Sequence, residues 1–422
     1  MYFLLLGAAC GLFAFVAWRD LKGGVLLLVA ALPAYLLRIQ VGPVPSTLLE
    51  LLFGLLFVVF ALTRRDLVRA WLVERRAWQS WYVPLALLIL AAGVGMAASP
   101  VMLSALGLLK AYVIEPILLF LIVRDLFVTE TDRMRLLQAL AVGGAFAALV
   151  GIAQYALNAG IPAPWDIERR VTGPFPYPNA LGLYLAPIIT IAGVFLLSVF
   201  ARRPQPTKQS PVTIWFWSVI LLLCSVAIFL SQTEAAWVSI PPVLFLAALR
   251  EKRLRVPTLS VGAALMLLVF AIPAGRHFVS TKLLLQDASG QVRIAQWQET
   301  IAFLKDGHWL LGAGLAGYPG AIEPYHTHPE YEIFQDPHNV ILNVWVELGL
   351  LGLIGTALLA WQVVRTPKRD WVALAASFAL LQMLIHGLVD VPFFKNDLAM
   401  MTFVLLALVA AQKKMRSEDP GA

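Results

Sequence analysis

The chain has 422 residues, of which 60% are hydrophobic and 14% charged, with a formal net charge of +7. A soluble domain carries about 25% charged residues, so one water-facing core cannot hide this composition and a polytopic membrane protein is expected. The two cysteines, Cys10 and Cys224, both lie in apolar runs, so neither a disulfide framework nor a cysteine metal site is implied.

Taken in chain order, apolar segments predict membrane spans near 2–18, 24–37, 46–62, 83–98, 106–123, 134–155 and 180–200. They continue near 214–230, 235–249, 257–273, 338–364, 371–388 and 398–411. The fold class expected is an all-α transmembrane bundle of 13 spans, or 12 if the first pair forms one re-entrant hairpin. The run from Tyr2 ends at Trp18-Arg19-Asp20 without a small-residue cleavage site, so it reads as a span and not a cleaved leader. Residues 1–274 would hold about ten spans, 275–337 a large loop with short helices, 338–411 the last spans and 412–422 a basic tail.

Basic residues set the orientation. Arg64, Arg65, Arg69, Arg75 and Arg76 share one loop, Arg202, Arg203 and Lys208 another, and Arg250, Lys252, Arg253 and Arg255 a third. Lys413, Lys414 and Arg416 form the tail, and Arg19, Lys22, Arg124, Arg133, Arg135, Arg365, Lys368 and Arg369 fall on the same alternate loops. Those loops are expected in the cytoplasm. The positive excess is then a topology signal and a contact with lipid headgroups, with no nucleic-acid partner. Leu67 to Trp78 reads as a short interfacial helix.

The unusual material falls on the opposite side, in Asn158–Pro178 and Gly275–Pro337. His277, His308, His326, His328 and His338 lie in or beside the long loop, whereas His386 lies in a span and reads as a packed polar residue. The isolated H-x-H of His326 and His328, beside Glu323, Glu330 and Glu332, is weak evidence for metal, and none is assigned. "GAGLAG", Gly312 to Gly317, lacks the strand and βαβ unit that a dinucleotide site requires, and reads as a tight turn. Upstream, Ile294, Trp297, Ile301 and Leu304 make an amphipathic helix face, with Arg293 one turn before Trp297.

"IERRVTGPFPYPNALGLYLAP" places Arg169 and Arg170 against the charge bias, ahead of a Pro-Asn helix start. Pro178 and Pro337 each suit a first helical position. Both following helices would then aim positive ends at the outer mouth, with Asn179 and the His338-Asn339 pair in the first turn. Helix N-termini and arginines together form an anion site. On this reading the positive helix end also keeps the His338 ring neutral. The plainer alternative is that Asn179, His338 and Asn339 only pin helix ends.

"VRIAQWQETIAFLKDGHWLLGAGLAGY" followed by "DPHNVILNVWVELGLLGLIG" resembles the O-antigen ligase and polymerase superfamily. The resemblance rests on Arg293, Trp297, Gly312, Gly314, Tyr318, His338, Asn339, Leu342, Glu347, Gly349 and Gly352. "RRVTGPFPYPNALGLYLA", with Arg170, Gly173, Pro178 and Asn179, extends it, and "LPAYLLRIQVGPVPSTLLELL", with Arg38 and Glu50, does so more weakly. Many members carry a Ser-Arg-Gly-like stretch where this chain has "LSQTEAAWVS", with Glu234 in the arginine's place. Either one cationic clamp is lost or another cation supplies it.

The resemblance implies an inner-membrane enzyme of a bacterial envelope, with its site on the extracytoplasmic face. It would transfer a preassembled glycan from undecaprenyl diphosphate to a surface acceptor such as lipid A–core. His338 is then expected as general base. Arg170, Arg293, Arg169, Asn179 and Asn339 would bind diphosphate or glycan, supported by Trp297, Tyr318, Glu347 and Asp390. No cofactor or metal is required, because the diphosphate leaving group is already activated. A polymerase that joins two lipid-linked repeats and a protein O-oligosaccharyltransferase share the pattern. A transporter of lipid-linked sugar is the rival of another class; no inverted repeat supports it, and Glu50 and Glu115 are the only acids deep in apolar runs.

Overall fold

The computed structural model describes residues 2–41, 44–73, 79–201, 211–368 and 370–414. Arg75, Arg76, Trp78, Arg202, Arg203, Lys208, Arg369, Arg416 and the tail beyond Lys414 lie outside the described residues.

The fold is all-α apart from one hairpin. Helices α1 (Tyr2–Arg19) and α2 (Leu21–Ala30) open the chain. A 3-10 turn, Leu32–Leu36, and the antiparallel strands β1 (Arg38–Val41) and β2 (Val44–Thr47) follow. At about 1.5 Å per residue, α2 is too short to cross a bilayer, and the expected span at 24–37 is broken at Pro33. Next come α3 (Leu48–Thr63), α4 (Arg65–Val73), α5 (Gln79–Ala98), α6 (Met102–Leu108) and α7 (Glu115–Leu126). A π turn, Leu109–Ile114, joins α6 to α7. The long helices α8 (Glu130–Leu157), α9 (Pro178–Ala201), α10 (Pro211–Ser231) and α11 (Glu234–Arg250) lead to α12 (Arg255–Ala271). The large loop folds as α13 (Pro273–Phe278), α14 (Ala288–Phe303) and α15 (Tyr318–Ile322). The chain closes with α16 (Val340–Arg365), α17 (Trp371–His386) and α18 (Asn396–Lys414).

Among the described residues, six helices are long and apolar enough to cross a membrane, or seven if α12 and the segment Pro273–His308, bent by 92°, form one broken span. Helix α9 is apolar all round and accordingly lies inside the bundle, packed on α8, α10, α11 and α17. Helix α18 is likewise buried along Leu398–Ala411, against α7 and α17. Helix α12 buries nothing and lies at the periphery. Of the expected interfacial stretch 67–78, residues 67–73 lie in α4 and the rest lie outside the described residues; α4 is also anchored on protein, where Trp71 stacks on Phe60 and its indole donates to Asp125 at 2.7 Å.

Helices α3, α9, α11, α16 and α18 begin at the end of the bundle that carries the long loop. Thr47 caps α3 in a reciprocal box with Glu50. Glu50 also accepts from Lys110 at 2.9 Å and from Asn396 at 3.0 Å, which ties the α3 and α18 starts to the π turn. The acid that the sequence reading left alone in an apolar run is therefore paired.

Candidate active site

The long loop is held by polar groups on α14. Of the expected apolar face, Leu304 is buried, Ile294 and Trp297 are half-buried and Ile301 is exposed. Ala295, Gln296, Glu299, Thr300 and Phe303 are buried, while Ile301 is 40% exposed. The burial of polar groups follows from bonding within the loop. Glu299 accepts from the Thr327 N–H at 2.9 Å and faces His326 at 3.3 Å, and Thr300 meets the Tyr318 hydroxyl at 3.0 Å. A buried carboxylate needs such partners. His326 is thus a structural ligand of Glu299, and His328 faces Glu330 at 3.0 Å.

Gly312 turns with φ 70, and a Cβ there would lie 2.3 Å from the Val346 carbonyl. "GAGLAG" is therefore a turn pressed on α16, whose Glu347 accepts the Ala316 N–H at 2.7 Å. Helix α16 breaks at Gly349, with φ 65, to admit this turn, and the Leu350 N–H donates to Leu310.

The start of α16 differs from expectation. Pro337 is not helical and His338 is not in the first turn. Asn339 is the N-cap, and its side-chain oxygen accepts from Ile341 and Leu342 at 3.0 and 3.1 Å. Asp336 does not cap the helix; it accepts from the His338 N–H at 3.1 Å, and His338 sits in the left-handed region at φ 47. The Trp297 indole donates to the Pro337 carbonyl at 2.9 Å, holding this turn against α14.

That turn aims the His338 ring. Its Nδ1 lies 3.2 Å from the Asp336 carbonyl and 3.3 Å from the Asp336 carboxylate, and Phe334 meets the ring edge-on. Nε2 makes no hydrogen bond among the described residues. Burial lowers the imidazole pKa, but the Asp336 hydrogen bond and the charges of Asp336 and Asp390 outweigh it, so the pKa stands above the ordinary histidine value. The expected effect of the helix end is reversed, because the ring is beside a carboxylate and outside the helix. Burial opposes ionisation of Asp336, yet His338 holds its pKa below the usual value.

The turn after α17 gathers the rest. Arg293 donates through Nε to the Val389 carbonyl at 2.8 Å and through Nη1 to the Ser289 hydroxyl at 2.6 Å. The Asn339 amide donates to Leu388 at 3.0 Å, and the Val340 N–H donates to Gly387 at 2.7 Å. Asp390 is buried in this turn. Arg293, Trp297, His338, Asn339 and Asp390 are thus brought together. Tyr318 and Glu347 lie behind them as braces of the loop.

Arg170 sits in a neighbouring cluster. It stacks on Trp165 at 5.0 Å and donates to the carbonyls of Ser231 and Gln232 at 3.2 and 3.4 Å. Glu234 there holds Lys282 at 2.8 Å, and Lys282 also pairs with Asp287, the N-cap of α14. A second cation does stand at the position where an arginine was expected, but two carboxylates hold it. Arg169 turns away, over the Tyr155 ring at 4.5 Å. Pro178 starts α9 as expected; Asn179 is half-buried and its side chain makes no hydrogen bond among the described residues. His386 is buried on α17, with Nδ1 3.5 Å from Gln382.

Sequence reasoning missed Tyr177 and Lys395. The Lys395 ammonium donates to the Tyr177 hydroxyl and lies 4.4 Å from its ring centre. Lys395 carried the same signal as Arg170, a cation against the charge bias. Gln154 was also missed. From α8 it bonds the backbone of Gly160, Thr172 and Gly173, and so shapes the Arg170 loop.

Residues 219–357, from α10 into α16, match the family model of O-antigen ligase, Wzy_C. Over that stretch the chain is similar to O-antigen ligases. The matched segment contains Glu234, Lys282, Arg293, Trp297, Tyr318, His338, Asn339 and Glu347. Arg170, Tyr177, Asp390 and Lys395 join it only through the fold. No curated protein matches the chain.

Proposed function

We propose that this protein transfers a glycan from a polyprenyl diphosphate, of the undecaprenyl type, to a hydroxyl of a surface acceptor such as lipid A–core. The observation that carries the reading is the Asp336–His338 pair beside Arg293. With Nδ1 committed to Asp336, the neutral ring keeps its lone pair on Nε2. The acceptor oxygen bonds to the anomeric carbon, the bond from that carbon to the diphosphate breaks, and the hydroxyl proton passes to Nε2. Among the described residues, Arg293 and Arg170 each keep one terminal guanidinium nitrogen uncommitted, Nη2 and Nη1 respectively. These can meet the charge of the departing diphosphate.

The positive bias of the opposite loops supports an extracytoplasmic site on a bacterial inner-membrane protein. Polymerisation of lipid-linked repeats and transfer to protein use the same chemistry and differ only in the acceptor.

The test is incubation of purified protein with a lipid-diphosphate glycan and candidate acceptors, followed by mass analysis of products. Transfer is expected, and it should survive EDTA because cations of the chain meet the leaving-group charge. His338→Gln should lose roughly 10²–10⁴ in rate. Arg293→Ala should lose about 1.5–3 kcal/mol of transition-state stabilisation, with Lys rescuing only in part. No transfer to any acceptor, with lipid-linked sugar moved across vesicles instead, would favour a transporter. Abolition by EDTA with recovery on a divalent ion would require a metal step.

A further inference from the structure

Lys395 occupies a costly position. It precedes α18 and reaches the Tyr177 hydroxyl, directly before α9, so it stands beside the positive N-terminal ends of two long helices. A cation at a helix N-terminus is disfavoured. Among the described residues no carboxylate lies within ion-pair distance of it, and its single side-chain hydrogen bond goes to a neutral phenol. An ammonium has three donors, so two are uncommitted in a half-buried setting. A purely structural lysine here would be expected to take a carboxylate partner, as Lys110 takes Glu50 and Lys282 takes Glu234 and Asp287.

Its surroundings say what the spare donors face. Lys395 ends the turn whose backbone receives Arg293 at Val389 and Asn339 at Leu388. Asp336 and Asp390, which act on the His338 ring, also lie within electrostatic range of Lys395. The neighbouring Asn396 is fixed by Glu50 and Thr47, which holds the start of α18 in place. The Lys395 ammonium, two helix N-termini and Arg293 are therefore gathered around the same turn as the carboxylates that act on His338.

We propose that Lys395, positioned by Tyr177, is a diphosphate-binding residue of this site, contacting the phosphates of the lipid carrier. The inference rests on the transfer reading for the identity of the carrier, but not for the binding of a diphosphate ester. Lys395 then acts as a point charge that tightens as negative charge builds on the leaving oxygen, complementing the planar Arg293 fork.

The probe is geranyl diphosphate, with geraniol as the uncharged control, and the readouts are binding to detergent-purified protein and inhibition of transfer. Wild type should bind the diphosphate in preference to the alcohol. Lys395→Met should weaken diphosphate binding roughly tenfold to hundredfold without changing geraniol binding. Lys395→Arg should restore part of it, and Tyr177→Phe should weaken it less than Lys395→Met does. Lys305→Met, on the exposed loop surface, controls for net charge and should bind like wild type. Should Lys395→Met fail to fold, the Arg and Phe variants still decide the matter. Equal diphosphate affinity in wild type, Lys395→Arg and Tyr177→Phe would overturn the proposal. Lys395-dependent diphosphate binding in a protein that transfers no glycan would leave this inference standing and remove the transfer reading instead.

Discussion

At His338 a left-handed backbone, a hydrogen bond from its own N–H to Asp336 and a ring nitrogen facing the same residue make one compact unit. The carboxylate favours protonated imidazole, so two consequences of opposite sign follow. The ion pair stabilises the fold fully below the ordinary histidine pKa of about 6.5, and this contribution is lost as pH rises through the raised folded value. The proposed transfer uses the neutral ring as base, so activity should fall as pH drops through that same value. Asp336→Asn should move the acidic limb of the rate profile to lower pH while lowering the maximal rate, since the ring loses its orienting charge. An acidic limb that stays in place would mean that another group titrates in it.

At the scale of the element, the start of α16 performs two tasks through one residue. Asn339 caps the helix with its oxygen and holds the turn after α17 with its nitrogen. Asn339→Ala should cost about 0.5–2 kcal/mol of stability from the lost cap alone. Asn339→Asp keeps the cap oxygen but removes the donor to Leu388. It should melt close to wild type yet transfer poorly, because the Arg293 and Asp390 turn is released from the His338 turn. If the Asp variant matched wild type in both melting and turnover, Asn339 would be a cap and nothing more. Helix α14 shows a related economy: its buried side is polar, so Glu299 and Thr300 fix the loop while Arg293 reaches the turn after α17.

For the whole molecule, the loop carrying Arg170 and the loop carrying His338 must share one side of the membrane. In a Cys10→Ala, Cys224→Ala background, Asp166→Cys and Gln298→Cys should both react with an impermeant maleimide on intact cells. Lys252→Cys should react only after permeabilisation. Labelling of Asp166→Cys and Gln298→Cys from opposite sides would dismantle the site. Contact between the loops supports the shared side: Thr233 donates to the Pro178 carbonyl, and Glu234 beside it holds Lys282 from the long loop.

The sequence by itself determined the all-α membrane class, because too little of the chain is charged to fold around one aqueous core. It also marked two loops as candidates for the site and singled out Arg170, Arg293, His338 and Asn339, since polar and cationic residues against a topological bias are costly unless they serve something. The turn at Gly312 and the start of α9 at Pro178 were legible too, because glycine and proline restrict the backbone locally. What pairs with what was decided only by tertiary structure. The buried side of α14 is set by Thr327 and Tyr318, which are distant in sequence, so local periodicity found Leu304 but not Gln296, Glu299 and Thr300. The helix start moved from Pro337 to Val340 because Asp336 bonds His338 in place of capping, and Trp297 holds Pro337 out of the helix. Tyr177 and Lys395 lie 218 positions apart, and no local pattern links such groups. They meet because α9 and α18 begin at the same end of one bundle.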